Sequence, residues 1–367
     1  MPPPPVTLDL SDPVAVTRSL VDIPSESGDE AAVADAVEAA LRTLPHLETS
    51  RYGDLVVART TLDRTLDGRP DRVVIAGHLD TVPSAGNVPS WTTAQGDDEL
   101  LWGRGACDMK GGVAVQLVAA ARLSDPARDI TWIFYDHEEV EAELNGLGRL
   151  GREHPELLAG SFAVLCEPTN ANVEGGCNGT LRAEVTTHGR AAHSARAWMG
   201  ANAIHAAAPI LTRLAAYVPA TVDVDGLAYR EGMNAVGVAG GIAGNVIPDA
   251  CAVTVNYRFA PDKDEAAAEA HVRELFSGFE VAITDVSVGA RPGLDQPAAQ
   301  EFIAASGGTV TAKYGWTDVA RFSALGVPAV NFGPGNPSKA HADDEFCPAS
   351  EIRRCTEVLV RWLGGVR

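Results

Sequence analysis

With 367 residues, 46% of them hydrophobic, the chain is long enough for two domains or for one large domain carrying an insertion. It has 49 acidic against 29 basic residues, a formal charge of -20. That balance argues against nucleic acid or an anionic membrane surface as partner, and it requires locally placed arginines for any anionic small molecule. No apolar run reaches membrane-spanning length.

The opening MPPPPVTLDLSDP has neither the basic n-region nor the apolar h-region of a signal peptide. Six cysteines (Cys107, Cys166, Cys177, Cys251, Cys347, Cys355) form no C-x-x-C pair and read as reduced thiols. The expected location is therefore the cytoplasm, where the Asn178-Gly179-Thr180 sequon is silent.

From the start to about residue 170, apolar runs alternate with helical patterns. Strands are expected at RVVIAG (72–77), ITWIFY (130–135) and FAVLC (162–166), and helices at 29–44 and 111–123. Interleaved strands and helices imply an α/β layered domain whose functional groups collect at the carboxyl ends of its strands. The rhythm then changes. TLRAEVTTH (180–188) alternates like a strand, 201–217 has helical spacing, 233–241 and 251–259 read as strands, 264–276 as a helix and 279–288 as a strand. The order β-α-β-β-α-β is the ferredoxin-like unit. After about residue 292 the α/β rhythm resumes, with a strand at VPAVNF (327–332) and a closing helix over 349–363. The expected organisation is a mixed α/β catalytic domain over 1–177 and 292–367, with a ferredoxin-like domain over 178–291 inserted as lid and dimerisation surface.

At 134–139 the chain reads FYDHEE: a buried strand ends in adjacent carboxylates. Like charges at the edge of a core cost free energy unless a cation lies between them or one holds a proton. Four further stretches carry acidic or histidine side chains just after predicted strands or in loops: GHLDTVP (77–83), GRGACDMKGG (103–112), CEPTN (166–170) and KAHADDE (339–345). GRGACDMKGG lacks the third glycine of a dinucleotide loop, because Asp108 stands there.

In order and spacing these stretches resemble the co-catalytic zinc aminoacylase and carboxypeptidase superfamily. WGRGACDMKGG, CEPTN, YGWTDVARF (314–322) and FGPGNPSKAHADDE (332–345) look most like its desuccinylase branch. The resemblance implies two zinc ions per subunit, with cobalt or manganese able to substitute. His78 and Glu167 would hold one, Glu139 and His341 the other, and Asp108 would bridge them. Glu138 would be the general base, and Asp80 would orient the His78 imidazole. Charge counting agrees: two divalent cations bring four positive charges, and three ligand carboxylates leave room for one further anion. Asp136 and His137 are expected to be structural.

The segment THGRAAHSA (187–195) resembles one whose histidine, here His193, enters the active site of a partner subunit and stabilises the oxyanion, which implies a homodimer through the inserted domain. Asn245, Arg258, Thr317 and Gly333 fall at positions that hold substrate in the family. An arginine suits a small anionic N-acyl amino acid, because a guanidinium grips a carboxylate in bidentate fashion. Many members of the branch carry an Arg-Gly-Ser-like run where this chain has Asn178-Gly179-Thr180. That removes one anion contact, for which Arg182, Arg196, Arg230 and Lys313 are the candidates to compensate. The activity implied is removal of succinate from N-succinyl-LL-2,6-diaminopimelate. Acetylornithine deacetylase, aminoacylase and dipeptidase are the related alternatives, and a non-catalytic metal-binding relative is the alternative from another class.

Overall fold

The computed structural model describes residues 6–66 and 69–365. The N-terminal proline run, Pro2 to Pro5, lies outside them. The chain divides into two compact units, one of Met1–Gly175, Gly293–Thr311 and Arg321–Arg367, the other of Gly176–Pro292 with Ala312–Ala320.

The first unit is built on an eight-stranded mixed sheet. Its order is 48–52, 55–59, 129–135, 72–78, 162–165, 329–331, 173–175 and 310–312. The four central strands, Asp129–Tyr135, Arg72–His78, Phe162–Leu165 and Ala329–Asn331, are mutually parallel. They are nearly all buried, because helices cover both faces of such a sheet, and this explains why each reads as an unbroken apolar run rather than an alternating one. The helix Lys110–Arg122 is buried on every side from Lys110 to Ala120, so it shows no polar stripe. Two strands absent from the sequence reading, Trp91–Gln95 and Asp98–Trp102, form a hairpin that Phe346–Pro348 extends to a separate three-stranded sheet.

Since the central strands run the same way, their carboxyl ends lie along one edge of the sheet. The register pairs Gly77 with Phe134, His78 with Tyr135 and Ala76 with Leu165. The loops bearing His78, Asp136 to Glu139 and Glu167 therefore start side by side.

The second unit holds an antiparallel sheet in the order Gly232–Gly240, Ala250–Phe259, Gly179–His188, Glu280–Ser287. With helices between the first and second strands and between the third and fourth, this is the ferredoxin-like arrangement expected. One sheet face, with Leu181, Ala183, Val185, Val253, Val255 and Tyr257, packs on Ile210 and Val272 of the helices. The helix expected over 201–217 is in fact two short ones, Ala203–Ala206 and Ala208–Ala215. The break falls at Pro209, which has no N–H to continue the first helix and is suited to start the second. A hairpin of Thr221–Val224 and Leu227–Arg230, also unanticipated, turns at Asp225-Gly226, both with positive φ. Among the described residues no helix is long and apolar enough to cross a membrane. All six cysteines are buried and free of disulfides.

Candidate metal centre

His78 closes its strand and is 1% exposed. Its Nδ1 lies 3.0 Å from the Asp80 carbonyl oxygen, which can only accept, so Nδ1 carries the proton and Nε2 presents a lone pair. That lone pair faces Asp108 Oδ1 at 3.1 Å. Two acceptors so close need a proton or a cation between them. Without a metal a proton takes this place: burial alone would lower the His78 pKa, but hydrogen bonds to Asp108 and Asp80 carry it well above the ordinary value.

Asp80 reaches farther than expected. Its carboxylate lies 3.4 Å from His78 Nδ1, beyond the carbonyl of the same residue. The nearer partners are the backbone N–H groups of Glu138 and Glu139, each donating at 3.0 Å to a separate oxygen, and the Ser27 hydroxyl at 2.7 Å. Burial would raise its pKa, but the bonds with His78 and with these two amides hold it at about 2. One fixed anion thus joins the loop after the 72–78 strand to the loop after the 129–135 strand.

The second loop turns at His137, whose φ of 57° is in the left-handed region that non-glycine residues rarely adopt. The turn is held from outside the carboxylate cluster. Arg149 grips both oxygens of Asp136 at 2.8 and 3.0 Å, His137 Nδ1 is 2.8 Å from Asp136, and buried Glu30 accepts the His137 N–H. Glu138 and Glu139 follow immediately.

His341 Nε2 is 2.9 Å from Glu139 Oε1 and 3.4 Å from Asp108 Oδ2. Hydrogen bonds with Asp108, then with Glu139, push its pKa up to about 10. Asp108 is driven the other way: burial opposes its charge, yet bonds from His341 and His78 hold it below the usual carboxylate range. Glu167 is buried two residues past its strand. Its backbone is packed so closely that a Cβ at Gly333 would come within 2.6 Å of the Glu167 carbonyl oxygen and 2.3 Å of that of Cys166. Gly333 is therefore a packing glycine, and its N–H donates to Thr169 Oγ1 at 3.1 Å.

Among the described residues, three groups bring one ligand atom from each member within 4.8 Å of one another: His78, Asp108 and Glu167; Asp108, Glu139 and His341; and His78, Glu138 and Glu139. The first two share Asp108, whose two oxygens face different histidines. Imidazoles with carboxylates are the donors that divalent zinc, cobalt or manganese accept, and their protonation without metal marks where positive charge belongs. The residues present fit a pair of such ions.

The model of the family described as "Peptidase family M20/M25/M40" matches residues 74–364, a span that takes in every one of these ligand positions. The chain belongs to this peptidase family. Two M20 relatives are similar over nearly their whole length. The putative succinyl-diaminopimelate desuccinylase DapE of Mycobacterium tuberculosis (strain H37Rv) is 53% identical over 362 residues, covering 98% of this chain and 100% of that protein. The succinyl-diaminopimelate desuccinylase of Corynebacterium glutamicum is 47% identical over 365 residues, covering 96% of each. A tripeptidase from Staphylococcus aureus shares the fold, with a TM-score of 0.78 at 18% identity over 98% of this chain and 99% of that one. This M20 chain is accordingly a metal-dependent hydrolase of amide bonds.

The remaining expected residues lie in the second unit, apart from Gly333. His193 pairs with Val246 across a short two-stranded ladder, and Ser194 donates to the Asn245 carbonyl at 2.9 Å, so His193 and Asn245 are neighbours. The Ala195 N–H donates to His193 Nδ1 at 3.0 Å, which leaves the proton of the neutral ring on Nε2. Arg258 pairs with Thr180 and is steadied by Asn256, whose Oδ1 accepts from Arg258 Nε at 3.2 Å. Thr317 is buried, and its carbonyl accepts from the Cys177 thiol. Asn178 is buried with its amide donating to the Arg230 carbonyl at 2.8 Å, so this position ties the strand to the hairpin. Sequence reasoning missed Ser27, Glu30, Arg104 and Glu345. The last two lie inside GRGACDMKGG and KAHADDE, but a salt bridge between distant loops leaves no local pattern.

Proposed function

We propose that the chain is a cytoplasmic di-zinc amidohydrolase that removes succinate from N-succinyl-LL-2,6-diaminopimelate, in the synthesis of lysine and of a cell-wall precursor. The chemistry is carried by one observation, Asp108 with its oxygens 3.1 Å from His78 and 3.4 Å from His341, while Glu138 groups with the same His78 and with Glu139. The substrate follows from the two desuccinylase relatives.

In this reading His78 and Glu167 would hold one ion and Glu139 and His341 the other, with Asp108 common to both groups. The ions, when bound, make a water acidic enough to attack at neutral pH and polarise the amide carbonyl. Glu138 takes the proton of the attacking water and delivers it to the departing amine. Asp80 keeps His78 and the Glu138-Glu139 backbone in mutual register. The partner subunit's His193 donates its Nε2 proton to the developing oxyanion. Arg258 grips a substrate carboxylate, with Asn245, Thr317 and Gly333 lining the rest. Desolvation, then the neighbouring charge of Arg182, lowers the Arg258 pKa from its ordinary value.

The second unit supports a dimer. One of its two edge strands, Gly232–Gly240, exposes Val236 and Val238, and Ile242 just beyond is 86% exposed. An open edge bearing apolar side chains is a ready surface for pairing with a second copy.

The test compares turnover of N-succinyl-diaminopimelate, N-acetylornithine and a dipeptide by zinc-loaded protein. A kcat/KM at least tenfold higher for the succinyl substrate is expected. Preference for either of the others assigns the chain to a different M20 activity, and no turnover of any amide, with metal bound, assigns it to the non-catalytic class.

A further inference from the structure

We propose that Arg104 and Glu345 form a positioning clamp that sets the separation of Asp108 and His341, and so the coordination geometry of the centre, without either residue touching a metal. The inference rests on the metal-centre reading given above.

Both side chains are almost inaccessible, Arg104 at 4% and Glu345 at 1%. Arg104 Nη1 donates to Glu345 Oε2 at 2.8 Å and to the Ala342 carbonyl at 3.1 Å, while Nε donates to the Pro83 carbonyl at 3.1 Å. The other carboxylate oxygen, Oε1, accepts the N–H groups of both Cys107 and Asp108 at 3.0 Å. Glu345 also accepts through its own carbonyl from the Gly103 N–H at 3.1 Å. A single ion pair therefore binds three loops by their backbones: 77–83 behind His78, 103–108 at Asp108 itself, and 341–345 one residue past His341.

A buried ion pair is weak evidence of stabilisation, since an apolar pair of similar volume is often as stable. What distinguishes this one is where its remaining hydrogen-bonding capacity goes. One oxygen of Glu345 is taken up by the amides of Cys107 and Asp108, and two of the three Arg104 bonds go to carbonyls in ligand-bearing loops. His341 moreover has a φ of 64°, a backbone conformation that surrounding structure must hold. Neutralising Glu345 weakens the two bonds to the Cys107 and Asp108 amides together. Shortening the Arg104 fork releases Pro83 or Ala342.

The test is cobalt substitution of the full-length protein, comparing wild type with Glu345→Gln and Arg104→Lys. Visible absorption of cobalt(II) reports ligand geometry directly, and chelator competition reports affinity. The expected result is a shift in the position or intensity of the cobalt bands and a roughly 10- to 100-fold loss of cobalt affinity. In turnover, kcat should fall with KM within about twofold. Arg104→Lys keeps the buried charge balanced and carries the test if Glu345→Gln does not fold. A folded variant with the wild-type cobalt spectrum and affinity overturns the clamp alone. Wild-type protein that takes up no cobalt overturns the metal reading and the clamp with it.

Discussion

Asp80→Asn is the substitution whose consequence can be worked most fully from the structure. The carboxylate is wholly buried and accepts three hydrogen bonds, from Ser27 and from the amides of Glu138 and Glu139. Asparagine has almost the same shape but offers one oxygen and one NH2 group. Each carboxylate oxygen serves a different amide, so whichever way the new side chain is oriented, one backbone N–H meets another donor. A buried donor left unpaired costs about 1–3 kcal/mol, and the surviving bonds lose their charge assistance, so the total should be about 2–4 kcal/mol. Urea unfolding of the metal-free protein measures that loss. Because the orphaned amide belongs to Glu138 or Glu139, zinc affinity measured against a chelator should also fall, by roughly 10- to 100-fold. An asparagine variant with wild-type midpoint and wild-type zinc affinity would refute the idea that this anion joins the two loops.

Glu138→Gln should retain wild-type zinc stoichiometry by elemental analysis and lose roughly 10²- to 10⁴-fold in kcat, the scale of a missing general base. His341→Ala leaves Asp108 and Glu139 without their third donor, so the same analysis should find bound zinc halved. Gly333→Ala sets a methyl group against two backbone carbonyls that cannot give way; a loss of at least about 1–3 kcal/mol in urea unfolding is expected. Val238→Arg places a charge on the exposed edge of the second unit and should shift the protein to monomer in sedimentation. Turnover should fall with it if the partner's His193 acts as proposed.

The parts of the fold most readable in the sequence are those that one periodicity governs. The buried strand runs at 72–78 and 129–135 are rich in β-branched and aromatic residues, and the burial of the 179–188 strand alternates strictly. What escaped notice depends on single residues or on distant partners. Pro209 divides a stretch whose apolar spacing is helical across its whole length, and the Asp225-Gly226 turn signal stood unused between two alternating runs. At the centre, the carboxylates and histidines were legible because their residue types are costly to bury uncompensated. Their supports were not: Ser27 reaches Asp80 across 53 residues, and Glu345 reaches Cys107 across 238. Asp80 was legible in identity but not in range, since a side chain's choice between a neighbouring imidazole and two remote amides is settled only by tertiary packing.

His341 and Glu345 belong to a stretch that leaves the ribosome only after residues 176–292 have been made. Until then the nascent chain holds Asp108, Glu139 and Glu167 with a single imidazole, His78, among them, and the Arg104 guanidinium has no carboxylate to meet. The centre is therefore completed only after the second unit has been made. A chain that stopped before His341 would carry an acidic half-site, able to recruit cations loosely and unable to organise them.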